Sequence, residues 1–149
     1  MDRDKFLDDI IAQFSVNPIC ALLGSRQADK AMLVKMYVDK FFPDNACFFD
    51  LENPLDFVRL ENPMLALQSV SQKLIVINEI QIRSELFSIL RVLVDATRIP
   101  LDEQDFAHNQ EIKARQKQFL ILGSASRDLL QRSSERLAGR ISFIKLPPF

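Results

Sequence analysis

The chain has 149 residues, 48% of them hydrophobic, with 19 Lys+Arg against 20 Asp+Glu and a net charge of −1. That length suits one domain with a real core, and the balanced charge excludes a strong overall field drawing in nucleic acid or anionic membrane. Two cysteines, Cys20 and Cys47, exclude a disulfide framework or a cysteine-rich metal site. No apolar run reaches transmembrane length and the first residues carry no signal-peptide pattern, so a reduced, cytoplasmic setting is expected.

Residues 3–14 place Phe6, Leu7, Ile10, Ile11 and Phe14 on one helical stripe, closed by Asn17-Pro18. The run 19–23 (ICALL) reads as a buried strand ending at Gly24, and 30–42 as a helix before the Pro43-Asp44 turn. A second strand is expected at 46–49, then proline-broken short helices between 51 and 71. The run 74–77 (LIVI) is a clear strand, followed by an amphipathic helix over 84–96 with Ser84 as N-cap. Residues 97–118 read as a polar loop with a helical piece near 109–117. A strand at 119–122 ends at Gly123, a helix covers 126–138, and a last strand covers 141–146. Apolar strands alternating with helices point to an α/β fold, a mostly parallel sheet covered on both faces.

In such sheets ligands bind beyond the carboxyl ends of the strands. The residues there are Gly24-Ser25-Arg26-Gln27-Ala28-Asp29-Lys30-Ala31, then Asn78-Glu79-Ile80-Gln81, then Gly123-Ser124-Ala125-Ser126. A strand, a loop and a helix opening with Lys is the layout of a phosphate-binding loop, whose backbone N–H groups face an anion. The full pattern is G-x-x-x-x-G-K-[ST]; Gly24 and Lys30 fit it, while Asp29 and Ala31 replace the second Gly and the hydroxyl residue.

Taken in order, GSRQADKAML, LIVINEIQ, FLILGSASRDLL and RLAGRISFIKLPPF resemble the AAA-type P-loop ATPase family known as the AAA_14 group, whose members usually carry a separate C-terminal DUF4143 domain. The family patterns are roughly G-x-R-Q-x-G-K-[ST]-x-L, D-E-[IV]-Q after a hydrophobic strand, L-[TI]-G-S-S, L-A-G-R and a final L-x-P-[LF]. The resemblance runs from the first helix to Phe149 and implies a single P-loop domain over 1–149, with an N-terminal helix in 1–17 and an α/β core in 18–149. It implies a three-layer sandwich with five strands in the order 5-1-4-3-2, ATP as ligand and Mg²⁺ as cofactor. Residue by residue, Lys30 falls where the family's lysine meets the β- and γ-phosphates, Ala31 where a hydroxyl binds Mg²⁺, and Asn78 where a carboxylate holds that ion. Glu79 falls on the carboxylate that activates water, and Ser124 and Ser126 near the position that senses the γ-phosphate. Arg140, with Arg136 and Arg26, supplies cations for developing phosphoryl charge.

The departures weaken that function. An alanine methyl cannot bind Mg²⁺, and an amide at position 78 carries no charge for a hard cation. A charge pair at about 4 Å is worth roughly 1 kcal/mol in water and roughly 4 at an effective dielectric near 20, so Asp29 beside a phosphate offsets what Lys30 gains. Its carboxylate is expected to pair with Lys30 instead, and family loop geometry would put it at positive φ. A plainer reading makes Asp29 an N-cap, Lys30 a solvated lysine, Glu79 a surface turn residue, and Arg136 and Arg140 a helix-end pair. Cys20 and Cys47 read as core, His108 as solvated, and the lysines and arginine of 113–117 as a solvated face.

The expected function is a degenerate AAA-type domain that binds ATP weakly or not at all and acts through protein partners, by self-association or with intact relatives. The alternatives are an atypical but active ATPase and a truncated piece of a two-domain ATPase.

Overall fold

A computed structural model describes residues 3–25, 27–97 and 104–147, without the side chains of residues 28 and 111–115. The strands are β1 (Ile19–Leu23), β2 (Ala46–Asp50), β3 (Leu74–Asn78), β4 (Gln118–Gly123) and β5 (Ile141–Lys145). The helices are α1 (Arg3–Phe14), α2 (Gln27–Phe41), α3 (Pro54–Arg59), α4 (Pro63–Gln68), α5 (Leu86–Ala96), α6 (Phe106–Arg115) and α7 (Arg127–Arg136).

All five strands are parallel and stand in the order β2-β3-β4-β1-β5, the expected order read from the other edge. β1 and β4 lie inside the sheet with both faces covered, which is why they read as unbroken apolar runs rather than alternating ones. Ile19, Ala21 and Leu23 face one core with Ile75, Ile77, Phe119 and Ile121, closed by Leu86, Phe87 and Leu90 of α5 and Leu129 of α7. Cys20 and Leu22 face the other core with Val76 and Leu120, closed by Leu7 and Ile10 of α1 and Leu33 and Tyr37 of α2.

The proline-broken stretch forms two short helices. Asn53 and Asn62 cap them through side-chain acceptors, and each is followed by a proline at the first helical position, where a missing N–H costs nothing.

Several boundaries differ from expectation. α2 starts at Gln27 rather than 30, because Gln-Ala-Asp-Lys-Ala contains no glycine to interrupt it. Asp29 therefore sits inside the first turn rather than at the N-cap, and it is not at positive φ: among the described residues the non-glycine cases are Asp44 and Glu79. Within the stretch read as polar loop, α6 lies at 106–115, starting and ending earlier than the helical piece read near 109–117. Residues 98–103 of that loop lie outside the described residues. Cys20 is fully buried, whereas Cys47 is only partly so and has the Arg59 guanidinium 4.0 Å from its sulfur. His108 is half-buried on α6 rather than solvated, and Lys117 is part-buried with its ammonium on the carbonyl of Gln72, 2.9 Å away.

Candidate functional site

The parallel order brings the carboxyl ends of β1, β4 and β3 together. Leu23 pairs with Gly123 across β1–β4, and the Gly24 amide donates to the Gly123 carbonyl at 3.1 Å. Gly24 is tight against Leu146, where an added Cβ would come within 3.1 Å of that residue's Cβ. Ser25 is exposed in the bend between β1 and α2, and Arg26 lies outside the described residues.

Lys30 is 3% exposed, far from an ordinary solvated lysine. Its Nζ donates to the Gly123 carbonyl at 3.1 Å and stands 4.0 Å from a carboxylate oxygen of Glu79. The other Glu79 oxygen accepts from the Gln81 amide. Glu79 leaves β3 in the left-handed conformation, φ 59° and ψ 50°, which turns the chain into the 3₁₀ segment Ile80–Arg83. That backbone costs an L-residue roughly 1–2 kcal/mol, and such strain concentrates at functional corners. Glu79 is thus a partner of Lys30 rather than a solvated turn residue.

A second group lies beside the first. Gln27 donates to the Asn78 side-chain oxygen at 3.1 Å, and Asn78 donates to Asp50 at 3.2 Å. Both ends of the Asn78 amide are therefore engaged. Asp50 also accepts from the Glu52 amide at 3.1 Å. Asp50 escaped the sequence reading because β2 was ended at Phe49; the rule that flagged the ends of β1, β3 and β4 applies to it equally. Ala31 is exposed on α2 and lines a groove of about 420 Å³ with Val34, Val38, Phe48, Asp50 and Asn78.

The remaining candidates divide. Ser124 is half-buried directly after Gly123, at the same sheet end. Ser126 is the N-cap of α7, its oxygen accepting from the Leu129 amide at 3.2 Å. Arg140 is not at this end at all. Its carbonyl accepts from the amide of Ile19, the first residue of β1, so it stands about 16 Å away across a five-residue strand. There it forms a two-toothed ion pair with Asp95, at 2.6 and 2.9 Å, and this pair holds its guanidinium pKa above the usual value. Arg136 donates to Ser88 on α5 at 2.7 Å.

Residues 16–149 match the family model described as an AAA domain. The chain belongs to this family. Its parallel sheet, with Gly24, Gly123 and Asn78 at one end, is the P-loop NTPase-like arrangement of the AAA domain. Over 129 residues, 87% of this chain, it is 44% identical to an uncharacterized protein of Mycobacterium tuberculosis and, equally, to one of Mycobacterium bovis. This AAA domain spans 25% of the length of each of those relatives. No helix among the described residues is long and apolar enough to cross a membrane.

Chemically, the corner holds one buried ammonium, one restrained carboxylate and the start of a 15-residue helix. The ammonium and the helix start are elements for meeting an anion, and the carboxylate opposes them. The position after Lys30 has a methyl in place of a hydroxyl, and no group of three or more metal-ligating His, Cys, Asp or Glu occurs among the described residues.

Proposed function

We infer that this AAA-type domain keeps the frame of a nucleotide site, binds ATP weakly, does not hydrolyse it, and acts through contact with other proteins. The observation that carries the reading is the pair of positions where Mg²⁺ would be held. Ala31 offers no oxygen, and the Asn78 amide is neutral and already bonded at both ends to Gln27 and Asp50. A hard divalent cation needs charged or freely offered oxygens, and neither of these two positions supplies one, so Mg²⁺ held in the family's manner does not fit here.

Lys30 and the α2 N-terminus retain attraction for a phosphate, but Asp29 in the first turn opposes it with a like charge. Arg140, at the far end of the sheet and paired with Asp95, does not reach the corner of its own chain, so any phosphate it met would belong to a neighbouring molecule. Phe48, about half exposed on the outer strand β2, lines the groove with Val34 and Val38, a contiguous apolar surface of the kind that proteins cover on association.

The test is calorimetric titration with Mg-ATP beside an ATPase assay. Weak binding without turnover is expected. Micromolar affinity with turnover that Glu79→Gln abolishes would overturn the reading. Light scattering on the protein alone and mixed with an intact AAA-domain relative tests the partner: a defined complex is expected, and a monomer in both samples speaks against assembly.

A further inference from the structure

Gln81 ends the triplet Glu79-Ile80-Gln81, and nothing in the nucleotide reading uses it. Ile80 is fully buried and anchors the turn in the core, which leaves its two polar neighbours on either side of it at the Lys30 corner. The Gln81 amide nitrogen donates to one Glu79 oxygen. Its own oxygen is buried, and among the described residues it has no hydrogen-bond partner. That oxygen lies against Gly123, where an added Cβ would come within 2.7 Å of it. The missing side chain at 123 therefore makes room for the Gln81 amide. Leaving an acceptor buried and unpaired is costly, and the opposite amide orientation would aim that oxygen at the Glu79 carboxylate.

The consequence falls on Lys30. With one oxygen committed to Gln81, the Glu79 carboxylate stands 4.0 Å from Nζ, outside hydrogen-bond contact. A carboxylate left beside a buried ammonium closes to about 2.8 Å. We propose that Gln81 is a positioning residue that holds the Glu79 carboxylate off Lys30 and so keeps the lysine able to meet a polyphosphate anion. This rests on the reading of the corner as a residual phosphate site.

The test is a double-mutant cycle on the full chain, read by calorimetry with inorganic pyrophosphate and no Mg²⁺. Wild type is expected to bind weakly but measurably. Gln81→Met, which keeps the volume and removes the donor, should bind about tenfold more weakly as Glu79 closes on Lys30. Glu79→Gln should bind more tightly than wild type, and adding Gln81→Met to it should change nothing further, because the effect passes through the carboxylate. Gln81→Asn, whose shorter amide falls short of Glu79, should repeat the loss and serves if Gln81→Met does not fold. Equal affinity of wild type and both Gln81 variants, the same loss in both backgrounds, or no binding by wild type overturns the proposal. Hydrolysis of Mg-ATP by wild type would sink the non-hydrolytic reading without touching this cycle, which contains neither nucleotide nor Mg²⁺.

Discussion

A lysine that is 3% exposed must recover several kcal/mol of lost hydration, and Lys30 does so through two partners. The Gly123 carbonyl takes a hydrogen bond at 3.1 Å, and Glu79 supplies a counter-charge at 4.0 Å. At an effective dielectric near 20, a pair at that distance attracts by about 4 kcal/mol before desolvation is subtracted. Lys30→Met should therefore destabilise the fold by about 2 kcal/mol, because a partly buried carboxylate and a carbonyl lose their partner together. Lys30→Met combined with Glu79→Gln should recover much of that loss, since no uncompensated charge remains; urea midpoints of the four proteins check it. Equal stability of the single and double variants would mean that Glu79 is not the charge that matters. The sequence pattern located Lys30, Glu79 and Gly123 at adjoining strand ends, but it had no means of pairing them. Helix phase and a left-handed turn at Glu79 set which atoms meet, and neither leaves a trace in residue spacing. The early start of α2 was in principle readable, since no glycine lies between 25 and 122 to break it.

The elements themselves were largely visible, for a physical reason. Strands buried on both faces are continuous apolar runs, so β1, β3 and β4 announced themselves, and the chain alternates them with helices as a parallel sheet requires. α6 showed only as a helical piece near 109–117, because its sequence FAHNQEIKAR has no apolar stripe and follows Asp105, whose side chain accepts from the His108 amide at 2.9 Å. That local turn chemistry, rather than core burial, starts the helix. The same chemistry bears on Ser126, expected near a γ-phosphate sensor but found capping α7. Ser126→Ala should lower stability by about 1 kcal/mol, and Ser126→Asp, which also accepts from an N-terminal amide, should retain most of it. If the residue acted instead as a sensor, Ser126→Ala would leave the melting temperature alone and Ser126→Asp would weaken pyrophosphate binding.

At the scale of the molecule, the sheet divides the interior into two cores, and the core under α1 and α2 holds two groups that must stay protonated. Cys20 is fully buried in β1, and burial pushes its thiol from 9.0 up to about 12. Tyr37 on α2 is stacked on Phe14 with ring centres 5.8 Å apart, and its hydroxyl donates to Gln118 at 2.6 Å. Burial, with Cys20 nearby, lifts its phenol from 10.0 to about 12. Both shifts are upward, so the unfolded chain releases these protons at lower pH than the folded one. The stability they represent is whole below about pH 9, and it falls as pH rises from there towards 12. The urea midpoint should thus hold to about pH 9 and then drop steeply, with α1 and α2 loosening from the sheet. The chain has one tyrosine and no tryptophan, so phenolate absorbance and tyrosine fluorescence report Tyr37 alone. Tyr37→Phe and Cys20→Ala should each shallow the alkaline slope, whatever they do to the midpoint at neutral pH. A slope unchanged in both variants would place the alkaline weakness elsewhere, in the lysines of the surface rather than in this core.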